Sequence, residues 1–218
     1  MKLGVLGTGM VGQAIAGRLV ELGHEVKMGS RRAGNEKAVG WASEAGEGAS
    51  EGSFPEAAGF GEVVVNATAG GASLEALEAA GADNLTGKVL IDVANPLDFS
   101  QGMPPTLSVC NDDSLGERIQ QAFPEAKVVK ALNTVNASVM VSPGALGEST
   151  NVFVCGNDEG AKAQVEELLR SFGWGEGRVF DLGDISAARG AEMYLPLWLR
   201  MFGALGTGEF NIGVVRGK

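Results

Sequence analysis

The sequence predicts an α/β protein of the Rossmann type, with a doubly wound, mostly parallel sheet that later strands extend and a small C-terminal helical segment. Two observations predict this class: a glycine turn follows the first apolar run, and strand-like runs then alternate with helix-like segments. The 218 residues are 44% hydrophobic and 20% charged, a composition typical of a globular protein with one sizeable core.

The glycine turn joins the first predicted strand to the first predicted helix. Gly7, Gly9 and Gly12 fill a G-x-G-x-x-G pattern. The first glycine permits a tight turn, the second lets the backbone approach a pyrophosphate, and the third lets the helix pack on the strand. Because the chain has 34 glycines, a glycine turn without a ligand is the alternative. The flanking strand and helix patterns favour a dinucleotide site.

The turn after the second predicted strand indicates which dinucleotide binds. Folds that select NAD carry an acidic residue about 20 residues beyond the glycines, whereas Ser30, Arg31 and Arg32 stand here. Guanidinium groups and a hydroxyl suit a phosphate monoester. The turn therefore predicts NADP(H), with a solvated basic turn as the alternative. Lys37 either adds a longer-range contact or solvates its helix.

Three later strands are predicted to end at the same edge of the sheet. Their ends carry Ala69, Asn95-Pro96 and Asn133-Thr134, and open α/β sheets bind ligands at this edge. Asn133 and Thr134 are candidates to bind a nicotinamide amide or a substrate carbonyl, or else to cap the next helix. For Asn95-Pro96, a simple turn is the alternative.

We expect one continuous Rossmann-like domain over residues 1–183, because no linker interrupts the strand and helix pattern. A C-terminal helical segment over residues 184–218 is expected to close a cleft for a second substrate. Its stretch Tyr194-Leu-Pro-Leu-Trp-Leu-Arg-Met-Phe is too apolar for a solvated helix, so the segment is expected to pack into the core, a ligand cleft or another subunit, and the last option predicts a homodimer. Pro196 is expected to kink or restart its helix.

Composition disfavours several classes of function. The net charge of −10 disfavours binding to nucleic acids or anionic membranes. Cys110 and Cys155 stand apart from each other and from the one histidine, so no metal site is expected. Neither a signal-peptide pattern nor an apolar run of the ~20 residues that cross a membrane is found. We expect a cytoplasmic protein that binds small molecules.

Acid–base groups are scarce, and no catalytic side chain is assigned. His24 lies at the end of the sheet opposite the glycine turn, and Tyr194 has no lysine four residues later. Lys130 is either an acid for a substrate hydroxyl or, as we favour, a lysine that snorkels from the sheet edge. Hydride transfer to a flavin-like ring requires mainly orientation and exclusion of water, so the scarcity favours transfer between two cofactors.

Five motifs together resemble the family of NADPH-dependent reductases of the deazaflavin coenzyme F-420 (F420). They are Gly7-Thr-Gly-Met-Val-Gly, Gly29-Ser-Arg-Arg, Asn95-Pro, Val128-Val-Lys-Ala-Leu-Asn-Thr and Gly206-Thr-Gly-Glu-Phe-Asn. The resemblance covers nearly the whole chain and extends to the cytosolic oxidoreductase part of membrane metalloreductases. It implies hydride exchange between nicotinamide C4 and deazaflavin C5, with the deazaflavin between the Rossmann core and the C-terminal segment.

The resemblance also implies site residues. The pyrophosphate would contact Thr8, Gly9, Met10 and Val11, and the 2′-phosphate would contact Ser30 and Arg31. The nicotinamide half would lie near Ala69, Asn95, Pro96, Asn133 and Ala137. The second substrate would lie near Asn133, Val135, Gly206, Thr207 and Gly208. Asn133 stands where the best-known members have a histidine, which leaves the acceptor open between F420, FMN and FAD.

Three functions follow, in order of preference. The first is an NADP(H)-dependent oxidoreductase that exchanges hydride with F420 or a flavin. The second is an NADPH-dependent reductase of a small keto acid or imine. The third is a non-catalytic NADPH-binding sensor.

Overall fold

The computed structural model describes residues 1–148 and 150–217, which form one sheet of eight strands, a two-stranded ribbon and nine α-helices. The strands are β1 Lys2–Leu6, β2 Glu25–Ser30, β3 Ala49–Ser53, β4 Val63–Asn66, β5 Val89–Asp92, β6 Leu97–Asp98, β7 Thr106–Leu107, β8 Lys127–Ala131, β9 Val152–Gly156 and β10 Val179–Asp181. The helices are α1 Met10–Glu21, α2 Glu36–Ala45, α3 Phe54–Phe60, α4 Ser73–Ala80, α5 Leu115–Ala122, α6 Ala137–Val141, α7 Glu159–Phe172, α8 Ala188–Met193 and α9 Leu195–Leu205.

The strand order of the large sheet is β10-β9-β8-β5-β4-β1-β2-β3. Neighbouring strands are parallel except β8 and β9, which are antiparallel. The chain leaves β1 toward β2 and β3 and then returns to β4 on the other side of β1. This change of direction opens a crevice above β1 and β4, where ligands bind in such sheets. The predicted fold class, a doubly wound and mostly parallel sheet, is confirmed.

The central strands are buried on both faces. In β4, Val63 and Val65 pack into one hydrophobic cluster and Val64 into the other, because consecutive strand residues point to opposite faces. One cluster holds the buried sides of α1, α2, α6 and α7. The other holds those of α3, α4, α5 and α8. These two apolar layers fix the strand ends that form the ligand edge.

Side-chain caps start five of the nine described helices, α2, α3, α5, α6 and α7. Asn35 accepts hydrogen bonds from the first amides of α2, Ser53 and Glu56 form a capping box at α3, and Asp158 caps α7. Helix α1 differs, because Gly9 occupies its N-cap and supplies no side chain. The first amides of α1 therefore remain available to an anion.

Helix α3 and the ribbon of β6 and β7 lie in stretches where the sequence pattern gave no clear element. The C-terminal segment does restart at Pro196, which lies in the first turn of α9. Leu195 is the only residue of α9 that is buried, while Leu197, Phe202 and Leu205 are exposed. Helix α9 thus does not enter the core along its length, and the homodimer stays a prediction, as does the boundary at residue 183.

No helix in the described part of the chain is long and apolar enough to cross a membrane. The described residues also hold no group of three or more His, Cys, Asp or Glu side chains placed to bind a metal ion.

Candidate functional site

The glycine turn has the geometry of a phosphate cradle. Gly7 has a φ of +121°, and a Cβ there would lie 2.4 Å from the carbonyl oxygen of Ala67. A Cβ on Gly12 would lie 2.2 Å from the carbonyl oxygen of Gly7. A Cβ on Gly9 would meet nothing within 4 Å, so Gly9 borders open space in front of the uncapped amides of α1. The cradle fits the diphosphate of a dinucleotide.

A first cleft of about 650 Å³ extends from the glycine turn. The turn after β2 lines one side with Ser30, Arg31 and Arg32, and α4 lines the other with Ala72, Ala76 and neighbouring residues. Both arginines are exposed, and neither forms a salt bridge with another described residue. The two guanidinium groups are thus placed together beside the cleft.

Ser30 and Lys37 were also candidates to contact the 2′-phosphate, and their side chains are placed differently from those of the two arginines. The Ser30 hydroxyl donates to the carbonyl oxygen of Arg32 at 2.6 Å, so it holds the turn in shape. Lys37 lines an adjacent open groove with Thr8, Gly9 and Met10 rather than the first cleft. A contact between either side chain and the cofactor stays a prediction.

A second cleft of about 520 Å³ adjoins the first. The two clefts share Ala67, Thr68, Ala69 and Ala72, which follow β4. The ends of β5 and β8, the start of α6 and the helix α9 form the remaining walls. A ligand that crosses the end of β4 can therefore occupy both clefts.

Most residues predicted for the nicotinamide and the second substrate line the second cleft: Ala69, Asn95, Asn133, Val135 and Ala137. Val11, predicted for the pyrophosphate, lines this cleft rather than the first. Pro96 does not, because its carbonyl oxygen binds the Ser108 amide where the β6–β7 ribbon begins. Gly206, Thr207 and Gly208 also do not line it. Gly208 instead packs on Asn136, a lining residue, since a Cβ on Gly208 would lie 2.8 Å from Asn136 Nδ2.

Asn133 and Thr134 have different roles in the walls of the second cleft. The Asn133 amide nitrogen donates to Asn95 Oδ1 at 2.9 Å and to the Ala191 carbonyl oxygen at 3.0 Å, so the side chain ties β8 to β5 and to α8. The cap of α6 is Asn136. The Thr134 hydroxyl has no partner among the described residues, which leaves it as a candidate donor to a ligand amide.

The sequence interpretation missed the aromatic wall of the second cleft. Trp198 lines the cleft with Leu195, and its ring stacks on Phe202 and Phe210 at centroid distances of 5.5 and 5.3 Å. The available signal in the sequence was a tryptophan within an apolar segment. The sequence did not indicate which residues the Trp198 ring would contact. Thr68, at the centre of both clefts, was missed as well.

Both sequence interpretations of Lys130 are wrong. Its ammonium is fully buried and lies 2.7 Å from Asp92 Oδ2, 2.6 Å from Glu192 Oε1 and 2.6 Å from the carbonyl oxygen of Ala94. Burial alone would lower the pKa of Lys130, but the two carboxylates outweigh it and raise this pKa. Lys130 therefore neither snorkels to solvent nor offers a proton to a ligand.

No ionisable side chain is found among the described residues that line the second cleft. The wall consists of aliphatic and aromatic groups together with the amides of Asn95, Asn133 and Asn136 and the hydroxyls of Thr68 and Thr134. Such a cleft can orient a flat, uncharged ring and exclude water from it. It supplies no general acid or base.

The two thiols are expected to differ in reactivity. Burial raises the pKa of Cys155 to about 12, while Cys110 is half-buried and lines a groove with Met193, Pro196 and Leu199. Because the thiolate is the reacting species, a disulfide reagent at about pH 8 should modify one thiol of the native protein and both after denaturation. Modification of Cys155 in the native protein would contradict the structure.

Comparison with known proteins agrees with this geometry. Residues 2–96 match the family model described as NADP oxidoreductase, coenzyme F420-dependent. A crystal structure from Arthrobacter sp. FB24, described as a candidate F420-dependent NADP-reductase, is 55% identical and superimposes with a TM-score of 0.94, covering 99% of this chain and 100% of that one.

Two further relatives extend the comparison. The metalloreductase STEAP3 of Rattus norvegicus is 31% identical over 212 residues, which cover 90% of this chain, and the chain spans 38% of the length of that protein. A reductive aminase from Aspergillus terreus in complex with NADPH is 20% identical with a TM-score of 0.66, covers 94% of this chain and shares the fold. The likeness to the Arthrobacter structure over the full length of both chains is the decisive finding. The chain belongs to the family of coenzyme F420-dependent NADP oxidoreductases and is an NADP-dependent oxidoreductase.

Proposed function

We propose that this protein exchanges hydride between NADP(H) and a deazaflavin such as F420, or a flavin, bound in the second cleft. The observation that carries the proposal is the pair of adjoining clefts: the first has two free guanidinium groups, and the second has no ionisable side chain among the residues described there. A nicotinamide and a ring acceptor can meet where the clefts join, beside Thr68 and Ala69. The relatives described as F420-dependent support the same acceptor class.

The chain's own residues would act by binding and orientation. The amides of α1 hold the diphosphate and Arg31 binds the 2′-phosphate, while Thr134 donates to the nicotinamide carboxamide. Bound NADPH supplies the hydride. Trp198 and Leu195 provide the face against which the acceptor ring lies, and they exclude water from the reacting atoms.

Reduction of a keto acid or an imine is less well supported by the second cleft. A keto acid needs a cation for its carboxylate, and hydride transfer to a carbonyl or imine carbon needs a donor that protonates the oxygen or nitrogen. The described lining offers neither group. A ring that accommodates its own charge and proton after reduction needs neither.

An acceptor screen under anaerobic conditions tests the proposal. The purified protein is mixed with NADPH and with F420, FMN, FAD, a small keto acid or an imine in separate reactions. Loss of NADPH and acceptor absorbance is followed against a reaction without protein. We expect NADPH to be oxidised at the same rate as F420, FMN or FAD is reduced. NADPH loss that requires a keto acid or imine would replace the proposal with the second function, and tight NADPH binding without turnover on any acceptor would favour a sensor.

The same screen distinguishes the direction of the reaction. Starting from reduced acceptor and NADP, the rate of NADPH formation is compared with the rate in the opposite direction at matched concentrations. Because the described lining of the second cleft has no ionisable side chain that would favour one charge state of the ring over another, we expect measurable turnover in both directions.

A further inference from the structure

We infer that Glu192 is a positioning residue, which holds the C-terminal helices in place over the second cleft by binding Lys130 in the core. The inference rests on the proposed function, because it assigns to α8 and α9 the task of presenting Leu195 and Trp198 to the acceptor. The evidence is a buried cluster of three charges that lies beneath the cleft.

Glu192 joins three parts of the fold. Its Oε1 lies 2.6 Å from the ammonium of Lys130 on β8 and accepts from the amide of Gly116 at 3.0 Å. Its Oε2 accepts from the amide of Leu115 at 2.8 Å, at the N-terminus of α5. The Glu192 carboxylate thereby fixes α8 both to the sheet and to α5 from within the core, beside the more exposed Arg189–Glu117 ion pair and the Asn133 contact to the Ala191 carbonyl oxygen.

The other side of the cluster reaches the strand ends that line the second cleft. Lys130 binds the Ala94 carbonyl oxygen, and Ala94 is a lining residue. Asp92 Oδ1 accepts from the Asn66 side chain at 2.9 Å and from the Ala94 amide at 3.2 Å. Asn66 Oδ1 in turn accepts from the Thr68 hydroxyl at 2.7 Å. One network thus connects the floor of the cleft to α8.

Glu192 lies close in the chain to two residues that line the second cleft, which links it to binding of the acceptor. Leu195 follows one helical turn later and Trp198 two turns later, and both line the second cleft. Apart from Leu195, α9 buries none of its residues, so packing alone fixes this helix weakly. The orientation of Trp198 therefore depends on the attachment of α8 together with the stacking of its ring on Phe210.

Buried charges are costly, and hydrophobic groups of similar volume would stabilise a core at least as well. Here the Glu192 carboxyl accepts from the N-terminal amides of Leu115 and Gly116 in α5, a position that favours an anion. The directional contacts of this cluster define one placement of α8, which apolar packing would not do.

Glu192→Gln tests the inference. The amide places an N–H group where the carboxylate accepts from Lys130 or from α5, so one contact becomes repulsive. We expect the KM for the acceptor to rise at least about tenfold, with the KM and Kd for NADPH changed less than about twofold. We also expect faster modification of Cys110, whose groove is lined by Met193 and Pro196 of α8 and α9.

Lys162→Met is the matched control. Lys162 is also buried and pairs with two carboxylates, Asp181 at 2.8 Å and Glu159 at 2.9 Å, but it lies on α7 and lines neither cleft. We expect this variant to lower the melting temperature without changing the acceptor KM or the rate at Cys110. Equal effects of both variants would show that lost stability alone is responsible and would overturn the inference.

Two further outcomes also decide the inference. If Glu192→Gln does not fold, Glu192→Asp keeps the charge on a shorter side chain, and an unchanged rate at Cys110 with an unchanged acceptor KM would overturn the inference. If no acceptor is found, the proposed function fails, but the rate at Cys110 and the NADPH affinity still decide whether Glu192 holds α8 in place.

Discussion

Replacing Arg31 with Asp is expected to weaken NADPH binding about 100-fold and to shift the preference of the protein toward NADH. Arg31 borders the first cleft and has no salt bridge to another described residue. Loss of a charge-assisted hydrogen bond costs about 1.5–3 kcal/mol, and a new carboxylate adds repulsion of the 2′-phosphate. Titration of both dinucleotides into the variant measures the change.

The control for Arg31→Asp is Lys37→Asp, which makes the same change in charge beside the neighbouring groove. Because Lys37 lies outside the first cleft, we expect its variant to change the ratio of NADPH to NADH affinity by less than about threefold. An unchanged ratio in the Arg31 variant, or an equal change in both, would remove the assignment of the 2′-phosphate to the turn after β2.

Replacing Gly9 with Asp is expected to separate folding from cofactor binding. Gly9 has φ −80° and ψ 179°, which any residue can adopt, and a Cβ there meets nothing within 4 Å. Aspartate is a favoured N-cap and stabilises a helix N-terminus. We expect a melting temperature equal to or above that of the wild type, while NADPH affinity falls at least about 100-fold because the carboxylate occupies the place of the diphosphate.

Two further variants serve as controls for Gly9→Asp. Gly12→Ala would place its Cβ 2.2 Å from the Gly7 carbonyl oxygen, so we expect a lower melting temperature as α1 moves away from β1. Gly40→Asp adds the same charge at an exposed position of α2 with open space around it and is expected to leave NADPH binding unchanged. Retained NADPH affinity in Gly9→Asp would show that the diphosphate does not lie in the cradle.

The parts of the fold that local patterns determine could be predicted from the sequence. The glycine turn between the first strand and the first helix, and the later strands that end at one edge of the sheet, agree with the structure. Helix α3 was missed although its signal was present, since Ser53 and Glu56 have the spacing of a capping box. The antiparallel direction of β9 could not be predicted, because a buried strand of either direction has the same continuous apolar pattern.

Some parts of the candidate site could likewise be predicted from local patterns, and others could not. The cradle and the Arg31 turn lie close to each other in the sequence, and their spacing carries the information. Glu192 and Lys130 are 62 residues apart, and nothing in the local pattern of either residue identifies the other. A lysine within the apolar run of β8 was the available signal, together with Asp92, its direct partner in the register of β5 and β8.

The antiparallel direction of β9 determines which segment of the chain lines the second cleft. Because β8 and β9 are antiparallel, β8 ends and β9 begins at the same edge of the sheet. The residues that follow β8 contribute Asn133, Val135 and Ala137 to the second cleft, and none of the described residues between β8 and β9 lines the first. Exchanges within this segment are therefore expected to alter binding in the second cleft more than in the first, so that the two clefts can be varied separately except where they share the residues after β4.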